Sequence, residues 1–403
     1  MAVNDLVVNQ ASTILVDLVK QATGVDVIRP STPGEFVSVA QTALKTGYDP
    51  ILNAMSQMWG RTIFSIRPYS RLFGGMEMSM DRWGNATRKI SIADKPVVDD
   101  DRFKYPVSYD GTQTPPNGDG GTVDMYTINK PDVLQTNFYG QSVYENFYTI
   151  FRDNLDTAFS GPEDFMRFNG MVAQNRADKL EQYRETIARG LLCNMIGAIL
   201  DENNYTRVIH LITDYNAASG QNLDAQSVYQ PTNFAPFMRW VYARIKTLSR
   251  MMRERSVMFQ TIVNNKEIMR HTPAERQKIY LFAPAMDQFS AMVASDTYHD
   301  NLLRFADYEG VTYWQSIDEP SAVNVTPVYT HTDGTVKTAQ VSVNVSDIFG
   351  VIFDEDALGY AQVTAWSSLT PFNAKGGYWN DYDHVNFRTL MDMSEKALVL
   401  LLD

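Results

Sequence analysis

Hydrophobic and polar positions along this chain change period several times, and each change marks an element. Phe165, Phe168, Val172, Leu180, Tyr183, Ile187 and Leu191 follow helical spacing on one slowly drifting face, with Asp178, Glu181, Glu185 and Arg189 opposite. Glu185 and Arg189 stand in the favourable i,i+4 order. Ser160-Gly-Pro-Glu163 reads as a capping box with proline in the first turn. The spacing therefore predicts one helix from there to Asp201, about 60 Å long at 1.5 Å per residue. Gly170, Gly190 and Gly197 each cost up to about 1 kcal/mol against alanine and mark places for a kink or break.

Elsewhere the period shortens. Residues 87–93 and 122–128 alternate with period two, the signature of strands. Between them, 94–121 carries Pro96, Pro106, Pro115, Pro116, the triplet Asp99-Asp100-Asp101 and Gly111, Gly118, Gly120 and Gly121. It reads as a long turn-rich excursion, either ordered by a partner or a surface insertion. Residues 1–60 show two short amphipathic stretches, 11–23 and 34–59, with no compact core of their own.

After Val208 the chain alternates. Residues 234–254 read as a helix with Phe237, Val241, Ile245, Leu248 and Met252 inward, 279–282 as a strand and 284–295 as a helix. Residues 311–314, 323–330 and 338–345 read as strands, with His331-Thr-Asp-Gly-Thr335 a hairpin-type turn between the last two. The chain ends on the apolar run from Ala397 to Leu402, which has to be clamped into a sheet or an interface.

Composition narrows the classes. A length of 403 residues predicts two or three packed lobes, and 44% hydrophobic content suffices to bury their cores. A net charge of −12 argues against a sequence-independent DNA binder, which gains affinity from a basic face, but is compatible with a container whose wall repels its contents. The single cysteine, Cys193, excludes an intrachain disulfide framework and reads as core. The first residues lack a basic stretch followed by an apolar run, and no segment has about eighteen consecutive apolar residues, so a soluble protein made in the cytoplasm is expected.

Catalytic chemistry finds little support. His210, His271, His299, His331 and His384 lack metal-binding spacing. Asp354-Glu355-Asp356 reads as a solvated turn before a divalent-cation site, because consecutive strand residues alternate faces; the same holds for Asp99-Asp100-Asp101. Gly74-Gly75 and Gly118-Asp-Gly-Gly121 lack the glycine spacing of a phosphate cradle. Arg239, Lys246, Arg250 and Arg253 share the polar face of the 234–254 helix, which is a solvated face first, and otherwise one for an acidic neighbouring subunit or packaged DNA. No catalytic, cofactor-binding or metal-binding residue is assigned, no cofactor is expected, and no enzyme activity is expected.

Asn373, Lys375, Gly376, Tyr378, Trp379 and Asn380, followed by aromatics and a final apolar strand, resemble the closing turn of tailed-bacteriophage major capsid proteins, particularly those of small podoviruses. Residues 154–160 followed by the long helix, and Ile279-Tyr-Leu-Phe-Ala-Pro284 followed by an alanine-rich helix, are similar to the same family. The resemblance implies an α+β, Hong Kong 97-like capsid fold: an N-terminal arm (1–60), an extended two-stranded loop (61–140), a peripheral domain with a spine helix (141–207), an axial domain (208–350) and return strands completing the peripheral domain (351–403). It implies hexamers and pentamers closing into an icosahedral virion capsid, assembled in the host cytoplasm around double-stranded DNA without sequence-specific binding and without a membrane. With no charged N-terminal scaffold region and no immunoglobulin-like module after Asp403, a separate scaffolding protein is implied, together with a portal. No residue is marked for the isopeptide cross-link some relatives form. The alternatives are an encapsulin-type nanocompartment shell and, outside the fold, an acidic soluble enzyme of unknown reaction using Asp354 to Asp356.

Overall fold

The computed structural model describes residues 2–59, 69, 71–78, 87–93, 130–138, 140–202, 206–296 and 308–403. Three helices open the chain: α1 (Ala2–Thr23), α2 (Pro33–Thr46) and α3 (Tyr48–Trp59). A capping arrangement starts α2, where the Thr32 hydroxyl accepts from the Glu35 amide at 3.3 Å and the Glu35 carboxylate accepts from the Ser31 amide at 2.9 Å. As expected, this segment has no core of its own and packs along other elements. Leu15, Leu18, Phe36, Ala40, Ile51 and Met55 are buried together with Leu155, Phe159, Phe165 and Val172. Each short helix has too narrow an apolar stripe to be stable alone, and only docking on the long helix closes the core.

β1 (Thr87–Ala93) pairs antiparallel with β2 (Asp132–Phe138), from Thr87 opposite Phe138 to Ala93 opposite Asp132. The strand expected at 122–128 and the excursion at 94–121 lie outside the described residues.

β3 (Gly140–Phe151) leads through α4 (Arg152–Ala158) into α5 (Pro162–Asp201), which runs unbroken for 40 residues past all three glycines. Its start differs from the expected capping box. Gly161 is the cap residue, while the Ser160 hydroxyl turns back to donate to the Thr157 carbonyl at 2.6 Å, satisfying the end of α4 instead. Glu181 and Glu185, expected to face solvent, are half-buried, because Arg71 and Tyr69 lie across them.

The middle of the chain alternates as expected, with different boundaries. β4 (Val208–His210), α6 (Leu211–Ser219), α7 (Pro231–Arg253), β5 (Gln277–Phe282), α8 (Ala283–Asp296) and β6 (Glu309–Val311) follow in order. The strand expected at 311–314 stops at Val311; Trp314 lies beyond it, buried, its indole donating to the Ile348 carbonyl at 3.0 Å. The strand expected at 323–330 is two, β7 (Val323–Val325) and β8 (Val328–Thr330), and in place of one strand at 338–345 there are β9 (Val336–Thr338), which ends where it was expected to begin, and β10 (Val343–Val345). Pro327, which has no amide hydrogen, interrupts the ladder, so β8 pairs with β9 around the 331–335 turn while β7 pairs with β10.

β11 (Ile348–Asp354), β12 (Leu358–Leu369), β13 (Tyr378–Met391) and β14 (Ala397–Leu401) complete the chain. They divide between two sheets. β12 and β13 join β3 in a three-stranded antiparallel sheet against α5, whereas β11 and β14 are central in a five-stranded sheet of order β4-β14-β11-β5-β6. The final segment thus contributes strands to both sheets. There Val399 and Leu401 enter one core with Val351, Phe353 and Tyr280, while Leu398 and Leu400 enter the other with Ile352, Ile279 and Leu281. A strand covered on both faces has to be apolar at every position, which explains the unbroken run at 397–402.

Candidate assembly surfaces

The turn between β12 and β13 is built by the residues that carried the resemblance. The Asn373 side-chain oxygen accepts from the Lys375 and Gly376 amides at 3.2 and 3.0 Å, and its backbone bonds to Gly377 and Tyr378 close the turn. Gly377 has φ +66°, and any Cβ on Gly376 would overlap the Tyr378 ring, so both positions require glycine. Trp379, 2% exposed, stacks on Tyr48 with centroids 5.7 Å apart and donates its indole N–H to Asp49 at 2.6 Å. The Asn380 side chain accepts from the Thr149 hydroxyl at 2.8 Å. The motif therefore locks three pieces together: the first helices, the hairpin and β3.

Charge lies between α5 and the three-stranded sheet. Arg176 reaches Asp381 at 3.1 Å and also pairs with Asp383, whose carboxyl burial pushes above its ordinary range despite that pairing. Arg71 bridges Glu77 and Glu181, and Glu185 is held by Tyr69 and by Arg189 at 2.8 Å. The Arg189 guanidinium also stacks over the Tyr313 ring, 3.9 Å from its centroid.

The outward face of that sheet carries exposed apolar and aromatic side chains among polar ones. Val143, Phe147 and Phe151 on β3 are exposed, and Trp366 on β12 stacks on His384 of β13 at 4.1 Å. β3 presents an edge with no further strand of the described residues along it, whereas the edge of β12 is bridged at Tyr360, whose carbonyl accepts from the Met78 amide at 2.8 Å.

The β1–β2 ribbon is fastened at its base. Lys89 pairs with Asp392 at 2.8 Å and Glu395 at 2.6 Å, and Arg270 reaches Glu395 at 3.0 Å and the Ser91 hydroxyl at 2.8 Å. Burial pushes the Asp392 carboxyl up, but the charge and hydrogen bond of Lys89, with Ser394, bring it below its ordinary value. For Glu395 burial prevails and its carboxyl stays raised. Ile90 and Ile92 point away from this anchor and are exposed.

The remaining candidates of the sequence are dispersed. Asp354 is buried and accepts from the Thr272 hydroxyl at 2.6 Å, Glu355 is exposed, and Asp354 and Asp356 both face Arg276, the former at 3.8 Å, so the acidic turn is paired with an arginine. Asp99 to Asp101, His299 and Gly118 to Gly121 lie outside the described residues. His210 sits 2.6 Å from Asp403, His331 stacks on Tyr329, and His271 is exposed. Cys193 is buried, its thiol pushed up to about 11 by desolvation. Among the described residues no group of three or more His, Cys, Asp or Glu side chains could hold a metal ion, and no helix is long and apolar enough to cross a membrane. Lys246, Arg250 and Arg253 line one cleft with residues of β5 and β6, but Arg239 does not. That cleft was not visible in the sequence, since its second wall comes from strands dozens of residues downstream.

Residues 27–400 match the family model of the Phi29-like phage major capsid protein. No curated protein matches the sequence. Among solved structures, a chain of the capsid of Staphylococcus phage Andhra aligns with a TM-score of 0.51 and 11% identity, covering 85% of this chain and 87% of that one. A chain from the structure of the head fiber and inner core protein gp22 of native bacteriophage P68 aligns with a TM-score of 0.48 and 10% identity, covering 85% and 87%. A single family model spanning nearly the whole chain, over a fold shared with a phage capsid chain, decides the matter: this protein belongs to the Phi29-like phage major capsid protein family.

Proposed function

We propose that many copies of this shell-forming major capsid protein build hexamers and pentamers that close into an icosahedral virion shell around double-stranded DNA. The observation that carries the reading is the family match over residues 27–400. The build of the subunit supports it: a 40-residue helix buttresses a sheet that keeps exposed apolar side chains on its outer face and a β3 edge with no further described strand, and a ribbon stands on a buried ionic anchor. Such a subunit spreads its contacts over several modest surfaces, as a closed symmetric assembly of many copies requires. A separate scaffolding protein directs closure, a portal occupies one vertex, and assembly takes place in the host cytoplasm. The DNA is enclosed without sequence-specific contacts, in keeping with the net charge of −12.

Sedimentation velocity on the purified chain, alone and with the scaffolding protein of its own locus, tests this. Fast-sedimenting closed particles or discrete five- and six-fold capsomers are expected. A monodisperse monomer or dimer in every condition would overturn the reading.

A further inference from the structure

The α7 helix buries Phe237, Val241, Ile245, Leu248 and Met252, and leaves Lys246, Arg250 and Arg253 exposed along one ridge. This ridge is one wall of a cleft of about 930 Å³ whose other wall comes from β5 and β6, with Lys278 on β5 as a fourth cation. Among the described residues no carboxylate lies within ion-pair distance of any of these four side chains. On a chain of net charge −12, four cations gathered in one concavity against two carboxylates, Glu275 and Glu309, the latter feeling the charge of Lys278, are an exception to the surface around them. Lys246 lies 5.8 Å from the centroid of the Tyr242 ring, which also lines the cleft.

We propose that this cleft is an inter-subunit seat that receives an acidic segment of a neighbouring copy of this chain. The inference rests on the shell-forming reading, which surrounds every copy with others whose surfaces carry an excess of carboxylates, and complementary potentials bring such surfaces together in register. The lining favours a protein segment over nucleic acid. A protein segment can set its carboxylates against Lys246, Arg250 and Arg253 and its neutral side chains against Glu275, Glu309 and the rings of Tyr242 and Tyr308, whereas a phosphate backbone carries an anion at every unit and would meet the two glutamates.

The test mixes heavy-nitrogen-labelled and unlabelled chains before assembly and treats the particles with a zero-length carbodiimide, which joins a lysine amine to a carboxylate in contact. The expected result is cross-linked peptides that pair Lys246 or Lys278 of one isotope with an aspartate or glutamate of the other. In parallel, Arg250→Glu with Arg253→Glu should lower particle yield at least about tenfold, since like charges now face each other, with the unfolding midpoint of the unassembled chain unchanged. Lys246→Arg should assemble normally. Particles that yield only same-isotope cross-links at these lysines would place the occupant within one copy and overturn the proposal. So would lysines shielded from acetylation by added duplex DNA but not by assembly. Absence of particles in every condition would remove the shell-forming reading and this inference with it, whereas particles without mixed-isotope links remove this inference alone.

Discussion

The Trp379 indole donates to the Asp49 carboxylate at 2.6 Å, joining the start of β13 to the start of α3 across 330 positions of sequence. The bond explains why a tryptophan stands there: its ring fills the core of the first helices while its polar tip reaches their surface. Trp379→Ala should cost about 3–5 kcal/mol in urea unfolding of the unassembled chain, as for other buried large aromatics. Asp49→Ala should cost about 1 kcal/mol, and combining it with Trp379→Phe should cost less than the sum of the two single changes, because they remove the same bond. Additive costs would show that the contact contributes nothing.

Two glycines of α5 should respond to alanine with opposite signs. A Cβ at Gly190 meets nothing within 4 Å, so Gly190→Ala should stabilise by about 0.5–1 kcal/mol through helix propensity. At Gly197 a Cβ would lie 2.5 Å from Val325 Cγ1 and 3.4 Å from Pro327, so Gly197→Ala should destabilise by about 1–3 kcal/mol despite the same gain. Thermal unfolding of the two variants side by side decides it; equal shifts would contradict the close approach of β7 to the helix.

Lys89 sets the sign of a pH dependence. Because Asp392 is depressed in the folded chain, its contribution is present above the unfolded value of about 3.9 and lost as pH falls through the lower folded value. In Lys89→Met, Asp392 keeps its burial without the cation and joins Glu395 in being raised, which is unfavourable near neutrality and relieved as pH falls. The deficit of the variant should be about 3–5 kcal/mol near neutral pH and shrink toward acid. Urea midpoints of both proteins between about pH 4 and pH 7 read this directly, and a deficit constant across that range would exclude it.

Lys396 acts in the opposite pH range. Desolvation lowers its ammonium from 10.5 to about 8, although it donates to the Glu254 carbonyl at 2.7 Å and the Ser256 hydroxyl at 3.0 Å. The folded chain then binds fewer protons than the unfolded one between these values, so stability should rise with pH across that window. Lys396→Met should flatten the rise; an unchanged slope would assign it to other groups.

Much of this fold is written locally. The long helix is legible because its period persists over eleven turns' worth of residues on a drifting face. The closing strand is legible because burial on both faces leaves no polar position. The turn at 373–380 is legible as a family phrase, though only the structure gives its reason, in the Asx bonds of Asn373 and the docking of Trp379. What escaped depends on distant partners. Thr87 to Ala93 had an alternating match nearby, yet pairs with 132–138, and alternation carries no record of register. Glu181 and Glu185 read as a solvated face because nothing local announces Tyr69 and Arg71, which cover them. The first helices hid their core because it is shared with α5, and the basic ridge of α7 showed its charge but not its cleft.

The central claim is that this chain is the unit of a closed shell, and electron cryomicroscopy of its largest assembled particles tests it most directly. The account predicts icosahedral shells in which every position accepts this subunit, with α5 as one unbroken rod of about 60 Å. Particles without closed icosahedral symmetry, or an assembly in which that helix and the three-stranded sheet cannot be placed, would contradict it.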